Sequence, residues 1–361
     1  MLVALLIAAL FPPQTGTRID AGITVGDPLS GEDNGLVLQR FERLEPPKLS
    51  PKTFNGTRWE FDWVTSGYGR PVGTDQMGLR FRVFSQSRKP ENDLAERVAV
   101  MDVRMWQLLY HKYKLDHPVA DRDLRQVDEY LCWGGVAGGE QMFAQDTEAG
   151  VTRRVNAIYI YDIASFTNPL EMAREVAHEY GHAVLPAIGG FKTPEDWANG
   201  YLGEKLFLTW LRDCFRAGQI QSSSVMGATL PQLETWVAKN VDPLIVDAAS
   251  HGPQPKLLSA SGPKAMNAYM GLVLYADATL PSVVVANSLR IATSAKDYPS
   301  ALVEAAAPAS YILKIPWSLA KQKLWVPLGK SKIQNAKILA RSAGWVQIQP
   351  LSPSVTVLSS P

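Results

Sequence analysis

The spacing of apolar and polar positions changes period along this chain, and each change predicts a different element. Over residues 57–64, Trp59, Phe61 and Trp63 alternate with Arg58, Glu60 and Asp62, the two-residue period of a strand with one buried face. Leu79, Phe81 and Val83 alternate with Arg80 and Arg82 in the same way, beyond a glycine-bearing loop at 67–78. From residue 91 to about 115 the period becomes helical through Leu94, Val98, Met101, Met105, Leu108 and Leu109, behind a Pro90 that suits a helix start. Residues 127–133 form a short apolar run read as a strand, followed by a loop with Gly134, Gly135, Gly138 and Gly139. Residues 156–163, N-A-I-Y-I-Y-D-I, set isoleucines against tyrosines and predict one more strand.

Two helices follow. Asn168 is a candidate N-cap, Pro169 fits the first helical position, and Glu171 can close a capping box. Met172, Ala173, Val176, Ala177, Tyr180, Ala183 and Val184 share an apolar face; Glu171, Arg174, His178 and His182 lie opposite, and Pro186 discourages continuation. A second start signal, Thr193-Pro194-Glu195-Asp196, predicts a helix from residue 193 to about 217, closed by Gly218. Trp197, Gly200, Tyr201, Phe207, Leu208, Leu211 and Phe215 would share its apolar stripe, with Glu204 at the centre. Glu195 and Asp213 point away and read as solvated, while Asp196 lies at the stripe's edge.

Serines at 222–224 mark a boundary, and residues 230–248 and 264–306 read as helices broken at Pro281 and Pro299. Short strands at 311–315, 324–327, 336–340, 345–349 and 354–358 predict a small β-rich module over 309–361. At the other end, residues 1–11 are wholly apolar and meet Pro12-Pro13. That run is too short to span a bilayer and, within residues 1–20, reads as a signal-like segment, so export to the periplasm, cell surface or medium is expected. Residues 21–50, rich in Gly, Pro, Asp and Ser, read as a linker or arm.

Composition narrows the classes. With 361 residues, 46% of them hydrophobic, the chain can bury a sizeable core, and its formal charge of +1 gives no footing for nucleic acid. The two cysteines, Cys132 and Cys214, lack zinc-finger spacing; they fit one disulfide or two buried thiols. No G-x-S-x-G nucleophile motif occurs, and no Gly-Lys-Ser/Thr follows the glycine loop at 134–139.

The chemistry concentrates in residues 176–184, V-A-H-E-Y-G-H-A-V. His178 and His182 are one helical turn apart, so both imidazoles can chelate one zinc ion while Glu179 acts on a water held there. A carboxylate such as Glu204, centred in an apolar stripe, is costly unless paired or bound to metal. His111 and His117 stand at no metal spacing and read as surface or capping residues.

This H-E-Y-G-H, followed about twenty residues later by Gly203-Glu204 in a second helix, resembles the gluzincin group of zinc metallopeptidases, whose best-known members are thermolysin-like; the likeness covers roughly residues 156–215. It implies an α+β, zincin-like fold over 51–308: a twisted N-terminal sheet with helices, the H-E-x-x-H helix, and a helical lower subdomain, with a cleft between about 51–190 and 191–308. It also implies Zn2+ bound by His178, His182 and Glu204, with Glu179 as general base, hydrolysing a peptide or protein. In such folds the strand before the motif helix is an edge on which a peptide can add, which points to Asn156, Ala157, Ile158 and Tyr159. His251, Tyr201 or Tyr269 could donate to an oxyanion. Leu208 stands where the thermolysin pattern has an Asp, and Leu185 and Ile188 depart from the metzincin pattern. Three readings compete: Asp196 as third ligand, as in an aspzincin-like site; a non-catalytic exported binding or structural protein with a degenerate zincin domain; and an intracellular protein whose apolar start is a strand. No stable membrane span is expected, and oligomeric state is not legible.

Overall fold

A computed structural model describes residues 23–26, 33–41, 64–71, 77–85, 92–118, 126–148, 151–192, 195–308, 310–320, 322–328 and 331–358. The signal-like stretch at 1–11 and the alternating run at 57–63 lie outside the described residues. The chain divides into two compact units: Met1–Leu109, Asp116–Val184 and Trp210–Leu233 make one, and Tyr110–Leu115, Leu185–Thr209 and Glu234–Pro361 the other. The architecture is mixed α and β, as expected.

The first unit is built on a seven-stranded sheet in the order β1-β2-β3-β4-β5-β7-β6. Strands β1 (Ile23–Gly26), β2 (Asp33–Phe41), β3 (Val64–Pro71) and β4 (Met77–Ser85) run as an antiparallel meander. Two of them lie in the stretch read as a linker or arm. β4, β5 (Val127–Leu131) and β7 (Val151–Tyr161) are mutually parallel, and a parallel step needs a crossover; helix α1 (Asn92–Tyr113) lies between β4 and β5 in the chain. β6 (Gly138–Glu148) runs antiparallel to β7 and ends the sheet. Helix α2 (Pro169–Val184) follows β7 and packs on it and on β6.

Period-two geometry sorts the side chains of β4, β5 and β7 between the two faces. Phe81, Val83, Val127, Glu129, Leu131, Asn156, Ile158 and Ile160 take the helix-covered face. Arg82, Phe84, Asp128, Tyr130, Tyr159 and Tyr161 take the other. Both faces are buried, so strand β5 reads as a near-continuous run rather than an alternation. On the far face Phe84, Tyr130 and Tyr159 stack in series, with ring centroids 4.9 and 4.8 Å apart. Arg82 is tolerated there because its guanidinium grips Asp128 through both oxygens, Nε to Oδ1 at 2.8 Å.

One expectation is overturned here. Asn156, Ala157, Ile158 and Tyr159 do not form a free edge: β7 is paired with β5 on one side and β6 on the other, with Asn156 opposite both Val127 and Phe143. The glycines at 138 and 139 open an outer strand instead of belonging to a loop. Its sequence, GGEQMFAQDTE, lacks the apolar alternation that marks a half-buried strand.

The second unit carries helices α3 (Asn199–Arg216, in part), α4 (Leu230–Asn240, in part), α5 (Asp242–His251), α6 (Pro255–Leu258), α7 (Pro263–Thr279), α8 (Ser282–Ile291) and α9 (Tyr298–Ala306). α7 is buried along most of its length, from Ala265 to Ala276, which a helix apolar all round requires. The β-rich C-terminal part has strands β8 (Tyr311–Lys314), β9 (Leu324–Pro327), β10 (Lys332–Gln334), β11 (Ala336–Ser342), β12 (Trp345–Pro350) and β13 (Ser354–Leu358), which form two antiparallel three-stranded sheets, β10-β13-β8 and β11-β12-β9. Their inward positions, Leu313, Leu324, Val326, Trp345, Ile348, Val355 and Val357, are buried. Trp345 donates its indole N–H to the carbonyl of Pro299 at 3.2 Å, tying this part to the start of α9. Among the described residues no helix is long and apolar enough to cross a membrane.

Candidate metal centre

Helix α2 forms where its local signals ask. The Asn168 side chain accepts the Leu170 N–H at 3.0 Å, and the Asn168 carbonyl accepts those of Glu171 and Met172. The seven apolar positions expected to face the core are all buried, from Met172 to Val184. That phase leaves His178 and His182 half-buried on the opposite side, with their Nε2 atoms 3.2 Å apart. Two imidazole nitrogens so close share either a proton or a cation.

Glu195 completes the group. One ligating atom from each of His178, His182 and Glu195 lies within 4.8 Å of the others, and all three residues are half-buried. Two nitrogens and a carboxylate oxygen form a donor set suited to Zn2+ and neighbouring divalent metals. Sequence alone places Glu195 on the solvated face of a helix starting at residue 193. The helix starts instead at Asn199. Ahead of it, Gly189 and Trp197 pair in an antiparallel bridge, Gly190 donates its N–H to the Asp196 carbonyl at 3.1 Å, and Ala198 donates to Ile188 at 3.3 Å. This turn competes with the Thr-Pro-Glu-Asp start signal and wins, and Trp197, placed on the apolar stripe by sequence, is 52% exposed.

Glu204 is buried on α3, 4.0 Å from the Lys205 ammonium, and is not part of that trio. Asp196 is exposed and uses its carbonyl to hold Gly190. Of the oxyanion candidates, Tyr269 is a core residue packed between Phe191 and Tyr298, which removes it from any substrate. His251 is exposed at the end of α5, with its Nδ1 3.0 Å from the Asp247 carboxylate one turn back. Tyr201 is half-buried in the first turn of α3, its ring under the Lys205 ammonium.

Glu179 faces inward and is buried. It leans against the backbone of Gly139 on β6: a Cβ there would stand 2.5 Å from Glu179 Cγ and 2.7 Å from its Cδ and Oε1. Asn156 has a structural task in place of the expected substrate contact. It donates to the Ala183 carbonyl at 2.9 Å and accepts from Gln141 Nε2 at 2.7 Å, tying the last turn of α2 to the edge strand. His117 is likewise no surface residue. It is fully buried, bonded through Nε2 to the Tyr180 hydroxyl at 2.8 Å and set edge-on to Phe81. Both cysteines are buried free thiols, so no disulfide joins them.

Sequence reasoning missed two further acids. Asp102 on α1 and Glu129 on β5 are fully buried on the helix-covered side of the sheet. Burial raises the Asp102 carboxyl to about 7. Burial first, then the charge of Asp102 and its hydrogen bond, then the charge of Glu179, hold Glu129 well above the usual carboxylate range. The available signal was an acid at a core-facing position of each element: Asp102 between Met101 and Val103, and Glu129 beside Asp128 in a run that is apolar at its other positions. Comparison of the chain with protein-family models, curated proteins and solved structures gives no match.

Proposed function

We propose that this protein is a metal-dependent hydrolase that cleaves peptide bonds, holding Zn2+ with His178, His182 and Glu195 and using Glu179 as general base. The observation that carries the reading is the gathering of two imidazoles and one carboxylate within 4.8 Å, beside a buried Glu179 on the same helix as the histidines. Bound zinc supplies Lewis acidity and brings the pKa of water at the site to about 7. Glu179 takes the proton of the attacking water and returns it to the leaving amine. Its seat against Gly139 fixes the carboxylate for that transfer. Among the described residues β6 is the last strand of its sheet, and an extended peptide adding along it would take the role that sequence assigns to β7.

A second assignment of the third ligand has its own support. Glu204, the ligand that the resemblance implies, is a buried carboxylate on α3 with the Lys205 ammonium 4.0 Å away. Metal content of Glu195→Ala and Glu204→Ala decides between them: the variant that loses metal names the ligand. For the reaction, Glu179→Gln keeps its metal and loses at least about a hundredfold in peptide hydrolysis. A protein that binds metal yet cleaves no member of a broad peptide library would instead be the non-catalytic binding protein. Export, proposed from the apolar run at 1–11, is checked by the mass of the mature N-terminus.

A further inference from the structure

Beneath the motif helix lies an arrangement that metal binding does not use. Asp102 comes down from α1 and Glu129 up from β5, and both are fully buried. The two carboxyls lie within hydrogen-bonding reach of each other, and no N–H or O–H of another group donates to any of their four oxygens. Across the sheet Glu129 is flanked by apolar neighbours, Val83 on β4 and Ile158 on β7. Arg82, beside Val83 on β4, lies on the other face and grips Asp128, and Arg104, two residues along α1 from Asp102, donates to Gln107 at 2.9 Å. The other titratable pair in the helix-covered layer, His117 and Tyr180, is bonded to itself. Glu179, from α2, is the third acid whose charge reaches Glu129.

Two ionised carboxylates are both acceptors, so they cannot satisfy each other. Left charged with no cation, each would pay a large desolvation cost. A proton on one turns it into a donor to the other, removes a charge and fills the missing hydrogen bond, as in other close carboxyl pairs.

We propose that Asp102 and Glu129 form a proton-sharing acid pair that stands behind Glu179 and fixes where its carboxylate points. The pair is a positioning device, since neither residue reaches the metal ligands. The protonated member keeps a second negative charge from building up behind Glu179 and presents a neutral surface to it. The positioning half of this proposal rests on the reading of Glu179 as general base; the shared proton does not.

The test uses the full chain and the variants Glu129→Gln, Asp102→Asn and Glu129→Met. Thermal unfolding is followed from about pH 4 to about pH 9, alongside metal content, turnover and the infrared C=O band of a protonated carboxyl. A carboxyl whose folded pKa is raised contributes stability that is complete below its unfolded value and lost as pH rises through the folded one. Wild-type protein therefore loses stability from about pH 4 through about pH 7 and beyond, while the three variants flatten that slope. The protonated-carboxyl band is present in wild type near neutral pH and absent from Glu129→Gln. Glu129→Met keeps its metal but loses about a hundredfold in turnover with KM unchanged, and Glu129→Gln, which keeps the shape and a donor, recovers most of it. Equal pH slopes in wild type and variants, with no such band, overturn the shared proton. Wild-type turnover in Glu129→Met, or failure of Glu129→Gln to exceed it, overturns the positioning role. Should wild type cleave no peptide, the hydrolase reading falls, and the unfolding profile and infrared band still decide the pair.

Discussion

Gly139 and Glu179 compete for one small volume: the position of a Cβ on Gly139 lies 2.5 Å from the Glu179 Cγ. The closest atoms belong to a side chain rather than to backbone, so a methyl group there would push Glu179 aside without breaking the strand. Gly139→Ala is therefore expected to fold, with a stability change within about 1 kcal/mol, and to bind metal as wild type does. Its peptide hydrolysis should fall by about a hundredfold, the scale of a misplacement of about 1 Å at a reacting group. Metal content measured together with steady-state kinetics checks this; wild-type turnover would remove Glu179 from the chemistry.

How much of this was legible in the sequence depends on how local each signal is. Helix α2 was read correctly in its cap, its phase and its buried face, because Asn168, Pro169 and the spacing of its apolar residues act within the helix itself. Glu195 was misread because its local start signal is overridden by pairing between Gly189 and Trp197, eight positions apart in the chain. β6 was missed because an edge strand ending in Gln, Asp, Thr and Glu carries no core pattern. The acids Asp102 and Glu129 are 27 positions apart and meet only when α1 covers β5. Period alone cannot distinguish a carboxyl aimed into the core from one aimed at water.

Asn156 and the Ala183 carbonyl make the next prediction. Asn156→Ala removes one buried and one part-buried hydrogen bond and strands a helix-end carbonyl, a cost of about 1–3 kcal/mol. Because Ala183 follows His182 directly, the last turn of α2 should loosen and metal affinity should fall along with stability. Chemical denaturation and metal titration of the variant measure the two effects. Loss of stability at unchanged affinity would show that the link braces the sheet alone.

Metal removal offers a cleaner thermodynamic reading of the centre. A ligand bound only by the folded state stabilises it by about 2.7 kcal/mol when present at a hundred times its dissociation constant. Chelation should therefore lower the unfolding temperature of the wild-type protein, and restored Zn2+ should raise it again. His182→Ala, in which one of the two imidazoles 3.2 Å apart is gone, should show neither response. Equal shifts in both proteins would mean that the metal acts elsewhere.

The β-rich C-terminal part reads from sequence as an appended module, but Gly252 and Trp325 point to a shared core. Gly252 closes helix α5 with φ of 65°, a conformation that a Cβ penalises, and its N–H bonds back to the Ala248 carbonyl at 2.8 Å. A Cβ there would also meet Trp325 Cγ at 2.5 Å and Cβ at 2.8 Å, and Trp325 lies on the strand that packs against α5. Gly252→Ala combines backbone strain with overpacking, each costing about 1–3 kcal/mol. If the module were independent, the strain would remain local to α5 and the strands would melt separately. A shared core predicts one cooperative transition for this unit, shifted to lower temperature in the variant, with tryptophan fluorescence and far-UV circular dichroism moving together. Two separated transitions, with only one displaced by the substitution, would assign residues 309–361 to a domain of their own.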